Sequence, residues 1–237
     1  MATNTHIPMQ GLSNKERLDA LMMGFASGSL SPAESLIVAS HIALKPELKA
    51  DLCFYEEVGG ALLDGIEPCV MSQNCLDSVL ASIDEIIDTN ISDEKPADNL
   101  QTACDIAKGQ LPASIARYVD CESIDGLKWK KLFKGVETID LNIDDDGAIV
   151  RLLRLEPGYV APEHKHEEFE LTLILDGAYT DQFGAYEVGD LSIIDEDAVS
   201  HSPRACPEQG CICLVATFAP LKFKNPLHRL INTFVKF

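Results

Sequence analysis

The segment that most constrains this chain runs from Gly158 to Gly177 and carries two histidines and a glutamate at even spacings. His164 and His166 are two residues apart, and Glu170 follows four residues later. Successive side chains of a β-strand point to opposite faces, so residues at even spacing share a face. We therefore expect the three side chains to converge on one side of one strand as ligands of a transition metal. The bracketing glycines predict tight turns before and after that strand.

Downstream of Pro112 the sequence becomes a series of short apolar runs separated by the turn signals DDDG, EPG, LDG and VGD. Many short strands at such spacing predict an antiparallel sandwich or barrel. The predicted strands are Leu132 to Leu141, Ile149 to Leu155, Phe169 to Leu175, Ala185 to Ile194 and Cys211 to Phe218.

The first 90 residues predict four helices. Ser13 is placed to cap the first, and the sequence SPAE from Ser31 predicts a capping box with proline in the first turn of the second. That second helix, LIVASHIAL, is apolar almost all round and should be buried. The third helix is expected from about Pro46 and the fourth from about Ser72. Such wide apolar surfaces predict either a small bundle or a clamp whose exposed stripe closes on another protein.

A polar stretch with two prolines separates the helices from the strands and predicts a linker. The predicted fold is therefore α+β, with a small helical bundle followed by an antiparallel β-barrel or sandwich. The corresponding boundaries are 1–90 for the helical domain, 91–112 for the linker and 113–237 for the β domain.

The net charge of −19 argues against two classes of partner. Direct nucleic-acid binding needs a basic surface, and an anionic membrane surface is equally disfavoured. The first 100 residues hold 16 acidic and 5 basic side chains, a net charge of −11. A basic protein partner is the natural complement of such a surface, although solubility alone also accounts for acidity.

The chain has no apolar run of the roughly 20 residues that span a bilayer, and its first ten residues do not resemble a secretory signal. We therefore expect a cytoplasmic protein. The eight cysteines are then expected to be free thiols rather than a disulfide framework.

The pattern G-x5-H-x-H-x3-E-x6-G resembles the first signature of the cupin barrels, and YEVGDLSIIDEDAVSHSP resembles the second. Glu196 and Ala198 stand where that second signature usually has a proline and a glycine. The resemblance implies one metal site with four ligands, His164, His166, Glu170 and His201.

Nearly the whole chain resembles the ChrR family of anti-sigma factors, in which a helical anti-sigma domain precedes a cupin domain. MGFASGSL from Met23, SLIVASHIAL from Ser35 and VGGALLD from Val58 resemble the first domain. FELTLILDGAYTD from Phe169 and CICLVATFAPLKF from Cys211 resemble the second.

The resemblance implies an anti-sigma factor whose helical domain binds and inhibits an extracytoplasmic-function sigma factor and releases it on an oxidative, singlet-oxygen type signal. The cupin metal would be zinc, although the ligand set also suits other transition metals. Cys211 and Cys213 match cysteines of the family's cupin domain; they are either small buried strand residues or participants in oxidative sensing.

One departure concerns the zinc that the family's helical domain usually holds through an early histidine and a later His-x3-Cys-x2-Cys. His6 and His41 match the histidines, but Lys45 and Leu48 occupy the cysteine positions. A lysine cation and an apolar leucine do not replace two thiolates. We therefore expect that this second zinc is lost and that packing alone holds the helices.

An enzyme of the metal-dependent cupin dioxygenase type is the alternative function. A metal held by three histidines and one glutamate, with an open coordination position, also activates oxygen or a substrate. A dioxygenase, however, has no need of an acidic helical domain with wide apolar faces.

Overall fold

The fold is described by a computed structural model for residues 11–90, 106–145, 147–166, 168–195, 199–219 and 222–223, without the side chains of 85–90 and 222–223. In this part of the chain, five α-helices precede an antiparallel β-sheet, which confirms the α+β class. His6, Glu196, Ala198 and residues 91–105 of the predicted linker lie outside it.

The first two helices begin with the predicted caps. The side chains of Ser13 and Ser31 each accept a hydrogen bond from the backbone N–H of a glutamate three residues on, and that glutamate accepts from the serine N–H in return. The helices are α1 (Asn14–Ala26), α2 (Pro32–Leu44), α3 (Leu48–Asp64), α4 (Cys75–Asn90) and α5 (Ala113–Val119). Within the described residues, no helix combines the length and apolarity that a membrane crossing requires.

Helix α2 is buried, as its composition predicts. Leu36, Ile37 and Val38 are at most 2% exposed and belong to one hydrophobic cluster with Leu152 and Leu214 of the sheet. The core is therefore continuous from α2 into the β-structure. Helix α1 packs against α2 and α3, so part of the predicted bundle forms on top of the sheet.

Polar contacts also fasten the first two helices to the β-structure. Arg17 of α1 forms an ion pair with Asp195, and its Nη1 donates to the carbonyl of Ile193 at 3.3 Å. At the start of α2, the Ala33 N–H donates to Asp145 Oδ2 at 2.9 Å. Arg17 and Asp195 are 14% and 9% exposed, so this pair is largely screened from water.

Helices α3 and α4 and the loop between them leave many apolar side chains exposed. We call this set the apolar stripe; its members, each between 44% and 100% exposed, are Phe54, Val58, Leu62, Leu63, Ile66, Val70, Met71, Leu76, Val79, Leu80 and Ile83. The alternative of a clamp with an exposed stripe therefore describes these two helices better than a closed bundle does.

The β-structure consists of an eight-stranded antiparallel sheet and a two-stranded one. The main sheet runs in the order β1-β2-β3-β9-β5-β6, β7 and β8 also pair with β5, and β4 pairs with β10. The strands are β1 (Lys130–Phe133), β2 (Val136–Leu141), β3 (Ile149–Leu155), β4 (His164–Lys165), β5 (Glu170–Thr180), β6 (Ala185–Glu187), β7 (Leu191–Ile194), β8 (Arg204–Ala205), β9 (Cys211–Thr217) and β10 (Lys222–Phe223).

Two of the predicted strands are each divided in two. The run 132–141 is broken at Gly135 into β1 and β2, and the run 185–194 is broken at Gly189 into β6 and β7. Both glycines have positive φ, +83° and +87°, a conformation outside regular strand geometry that glycine adopts without steric cost.

The turn predicted at Gly177 is wrong, because β5 continues through it to Thr180. Gly177 has φ +69° and follows a β-bulge between Ile174 and Asp176. A Cβ atom here would lie 2.3 Å from the carbonyl oxygen of Gly210 on the paired segment. The glycine is therefore required by a bulge and a close backbone approach rather than by a chain reversal.

Candidate metal centre

Three of the four predicted ligands converge in the barrel. His164 and His201 are bridged through their backbones, with N–H to carbonyl distances of 3.0 and 2.9 Å, and His166 follows β4 directly. One ring nitrogen from each histidine lies within 4.8 Å of the others, and the Nε2 atoms of His166 and His201 are 2.9 Å apart. All three residues are buried.

Two of the rings are oriented by hydrogen bonds at their other nitrogen. His164 Nδ1–H donates to the carbonyl of Pro162 at 2.8 Å, and His201 Nδ1–H donates to Asp181 Oδ2 at 2.9 Å. A proton held on Nδ1 leaves the Nε2 lone pair available as a ligand.

Asp181 contacts the histidine group and was missed by the sequence prediction. Its carboxylate is enclosed, and it also accepts from the backbone N–H groups of Phe183 and Gly184 at 2.8 and 3.1 Å. Burial alone would raise the pKa of Asp181, but the hydrogen bonds from His201 and the two amides lower it below its usual value. The carboxylate thus stays ionised and fixes the orientation of His201.

Glu170 lies beside the histidines without joining their nitrogen group. Its Oε2 is 3.7 Å from His166 Nδ1, and its Oε1 accepts from the Thr172 hydroxyl at 3.1 Å. The expectation that three ligands share one strand is wrong, because β4 ends at Lys165 and Glu170 begins β5. The even spacing brings the side chains close across a break between two strands.

Burial keeps the rings of His164 and His166 neutral. Burial, and next the charge of His201, lowers the pKa of His164 to about 4, and the same two causes lower the pKa of His166 to about 3. Burial raises the pKa of Glu170. Neutral imidazoles are the form that binds metals, so at neutral pH no proton competes at these two rings.

This donor set fits a metal ion. Three imidazole nitrogens lie within 4.8 Å of one another, two of the rings are in a tautomer fixed by a hydrogen bond, and a carboxylate stands next to them. The three-histidine group could therefore hold a metal ion with nitrogen preference, such as zinc, iron, nickel or copper.

A cavity of 320 Å³ inside the barrel opens onto this group. His164, Glu170 and His201 form part of its wall, and most of the other lining residues are apolar or aromatic. The barrel thus offers an apolar chamber next to a site that could hold a metal.

Cys211 and Cys213 are both buried in β9, and Cys213 lines the cavity. A hydrogen bond with Cys211, together with burial, raises the pKa of the Cys213 thiol well above its ordinary value. In the resting protein this sulfur is therefore protonated and a poor nucleophile.

The positions of the family's other zinc site are engaged differently. His41 Nδ1–H donates to the carbonyl of Gly189 at 2.9 Å, and Lys45 Nζ lies 3.3 Å from Asp190 Oδ1. Leu48 packs against the hydrophobic core. These described residues fasten α2 to the turn before β7 and do not resemble a zinc ligand set.

Known proteins match this chain along most of its length. A family model described as the ChrR Cupin-like domain matches residues 119–220. The anti-sigma-E factor ChrR of Cereibacter sphaeroides is 36% identical over 218 residues, which make up 92% of this chain and 96% of that protein. The crystal structure of Rhodobacter sphaeroides SigE in complex with the anti-sigma ChrR matches with a TM-score of 0.65 at 33% identity, over 84% of this chain and 96% of that chain. The chain therefore belongs to the ChrR family of anti-sigma factors.

Proposed function

We propose that this protein is an anti-sigma factor that binds and inhibits an extracytoplasmic-function sigma factor in the cytoplasm. Residues 1–90 would form the sigma-binding domain, 91–112 the linker and 113–237 the responsive cupin domain. The main support for the proposal is the apolar stripe, whose side chains are at least 44% exposed to solvent in the described part of the chain. An amphipathic helix with an uncovered apolar face is a common way to bind a partner's hydrophobic groove.

The negative charge around the apolar stripe favours a partner with a basic surface. No lysine or arginine occurs between residues 50 and 84. The exposed acidic side chains beside the stripe are Glu56, Glu57, Asp64, Glu67, Asp77 and Asp84. Acidic groups around an apolar centre speed association with a basic surface and disfavour acidic competitors.

Co-purification of the full chain with each extracytoplasmic-function sigma factor of its host tests the proposal. We expect a stable complex with at least one of them, and loss of transcription from that factor's promoters in vitro when the chain is added. Recovery of no sigma factor, or a complex that leaves transcription unchanged, would contradict it.

We further propose one zinc ion per chain, held by the three histidines and Glu170 of the cupin domain. The zinc would brace the ends of β4 and β5, and the chain's own contribution is to orient the rings of His164 and His201 through Pro162 and Asp181. Metal analysis of the full chain should give one equivalent. Two equivalents would show that the helical part also binds zinc despite Lys45 and Leu48.

An oxidative signal would reach the helices through contacts that begin next to the metal centre. Glu170 is paired with Ile194 across β5 and β7, and the next residue, Asp195, holds Arg17 of α1. A displacement of Glu170 would therefore disturb the Arg17–Asp195 ion pair, which attaches α1 to the sheet. We expect singlet oxygen to dissociate a purified sigma complex of the intact protein, and to dissociate the His201→Ala complex much more slowly; equal rates would contradict this route.

The dioxygenase alternative is favoured by one observation, the apolar cavity that opens onto the histidines. The family relationship supports a regulator rather than an enzyme. Oxygen uptake by the iron-loaded protein with a panel of small carbonyl compounds distinguishes the two functions. Turnover without a sigma complex would favour the enzyme.

A further inference from the structure

Residues 224–237 are a basic segment of an acidic chain. Between residues 209 and 237 the sequence has no aspartate or glutamate, although the whole chain has a net charge of −19. Residues 224–237 lie outside the described part of the chain; their sequence, KNPLHRLINTFVKF, contains Lys224, Arg229 and Lys236. We call them the basic segment. Their charge is opposite to that of the helices in the first 90 residues.

The apolar residues of the basic segment follow helical spacing. They occur at positions i, i+3, i+4 and i+7, which predicts an amphipathic helix with one apolar face; they are Leu227, Leu230, Ile231 and Phe234. Asn225 followed by Pro226 is a typical start signal, since asparagine caps the first turn of a helix and proline fits its first position. Arg229 belongs to the opposite face of this predicted helix. The sequence of the basic segment thus predicts a cationic helix whose apolar face needs cover.

The apolar stripe has the complementary properties. Its side chains are at least 44% exposed among the described residues, and exposed acidic side chains lie beside them. No lysine or arginine occurs between residues 50 and 84. The apolar face of a helix packs on an apolar surface, and basic groups at its edges pair with acidic ones. The basic segment therefore fits the stripe in both hydrophobicity and charge.

The basic segment begins close to the helices that carry the stripe. It follows Phe223 of β10, which pairs with His164 of β4 at the metal centre. Strand β5 begins with Glu170 next to that centre and pairs with β7; directly after β7, Asp195 holds Arg17 of α1, which packs against α3. Neighbouring strands lie about 5 Å apart and packed helices about 9 Å apart, whereas the segment spans about 20 Å as a helix and about 46 Å when extended. It is therefore long enough to reach the stripe of its own chain.

We propose that the basic segment covers the apolar stripe in the free protein and that a sigma factor displaces it. The cover itself requires no partner, whereas the displacement rests on the proposed function of the stripe. A segment tethered to its own binding surface has an effective concentration in the millimolar range, so even a weak contact covers most of the stripe. The free protein would thereby hide an apolar surface, and only a partner that outcompetes the segment would bind.

Three native cysteines report on the cover. Cys53, Cys69 and Cys75 each directly precede a member of the stripe, and all three are at least partly exposed. Their reaction with a maleimide is measured site by site by mass spectrometry, in the full chain and in a chain shortened to residues 1–223. We expect about tenfold slower labelling in the full chain, the result of about 90% cover. Equal rates at all three cysteines would overturn the proposal.

Two pairs of substitutions in the full chain separate apolar packing from charge. Leu230→Asp with Phe234→Asp places two charges on the predicted apolar face and should raise the labelling rates to those of the shortened chain. Asn232→Asp with Thr233→Asp adds the same charge on the opposite face and should keep the slow rates. Fast labelling in both pairs would overturn apolar packing as the cause. Slow labelling that becomes fast on dilution would show that the segment covers a second copy, which also contradicts the proposal.

The affinity for the sigma factor tests the displacement. The shortened chain should bind the factor recovered by co-purification about tenfold more tightly than the full chain does, because it has no internal competitor. Unchanged affinity would overturn the displacement. Absence of any sigma complex would contradict the proposed function alone, because the labelling rates measure the cover without a partner.

Discussion

Helices α2 and α4 are both rich in apolar residues, yet they have opposite environments. The apolar side chains of α2 are buried against the sheet, whereas Leu76, Val79, Leu80 and Ile83 of α4 are 46–66% exposed. Helix α2 is apolar almost all round, as a helix enclosed by its own chain should be, and α4 carries a single stripe. The pattern on the helix surface, rather than the apolar content, distinguishes a helix that completes the core from one that is available to a partner.

The difference is also one of free energy. Burial of a leucine or isoleucine side chain contributes about 1.5–3 kcal/mol. For α2 that contribution stabilises the folded chain, whereas for α4 it remains available for association. Changes in the two regions should therefore affect two different measurements, stability and affinity.

The largest expected effect is on sigma binding by α4. Leu80→Asp combined with Ile83→Asp places two charges in the apolar stripe and should weaken the sigma complex about 1000-fold, since central apolar contacts are each worth about 2 kcal/mol. The melting temperature should stay close to that of the natural protein because both side chains are already exposed. Affinity is measured by titration and stability by calorimetry.

Ala81→Asp combined with Ser82→Asp is the matched control. These exposed positions add the same charge on the other side of α4 and should change the affinity by much less. Equal losses in both pairs would mean that net charge, and not the stripe, governs binding.

The next effect tests the packed region. Arg17→Met leaves the carboxylate of Asp195 buried without its ion-pair partner and should lower the free energy of unfolding by about 3 kcal/mol. Lys15→Met removes an exposed pair with Asp19 and should cost less than about 1 kcal/mol. Urea unfolding of both variants measures these two losses. Similar decreases in the free energy of unfolding would mean that the Arg17–Asp195 pair does not stabilise the packing of α1 on the barrel.

A smaller effect is expected at the metal centre. Asp181→Asn keeps the shape of the side chain but removes the charge that orients His201, and should weaken zinc binding 10- to 100-fold. Asp176→Asn changes another carboxylate of β5 and serves as the control. Competition with a chelator measures both affinities; a normal zinc affinity in Asp181→Asn would exclude a role in orienting the ligand.

The last prediction concerns the pH dependence of stability in the metal-free protein. In the unfolded chain histidine has a pKa near 6.5, but the folded metal-free protein holds His164 and His166 at about 4 and 3. The unfolded state therefore takes up protons first, and the free energy of unfolding should fall as the pH is lowered from 6.5 to 4, by about 1.4 kcal/mol per pH unit for each ring.

His166→Gln should reduce the pH dependence of the free energy of unfolding by about 1.4 kcal/mol per pH unit, which is the contribution of one ring. Lys165→Gln should leave this pH dependence unchanged. Urea unfolding of the chelator-treated proteins at several pH values provides the measurement. Parallel curves for the natural protein and His166→Gln would contradict the assignment of a depressed pKa to this ring.

The sequence predicted the local features well. The capping box at Ser31, the buried second helix and the pair His164 and His166 all depend on residues a few positions apart, where spacing determines geometry, whereas His201 came from the resemblance to the cupin barrels. The strand limits failed at Gly135, Gly177 and Gly189, because a glycine signals positive φ but does not reveal whether the chain turns, bulges or continues.

The features that were missed depend on distant contacts. Asp181 precedes its partner His201 by 20 residues and reaches it through the pairing of β5 with β8. Arg17 and Asp195 are 178 residues apart. No spacing rule connects such residues. The packing of the first helices against the barrel could therefore not be predicted from the sequence.

The shared core of α2 and the sheet has a consequence for proteolysis. A protease that cuts the backbone between residues 91 and 105 would divide the polypeptide into two fragments, but Ile37 and Leu214 would remain in one hydrophobic cluster, and Arg17 would remain paired with Asp195. The nicked protein should therefore elute as a single species and melt in a single transition. Cleavage alone would not separate the helices from the barrel, so we expect loss of inhibition to require a change within the folded protein itself.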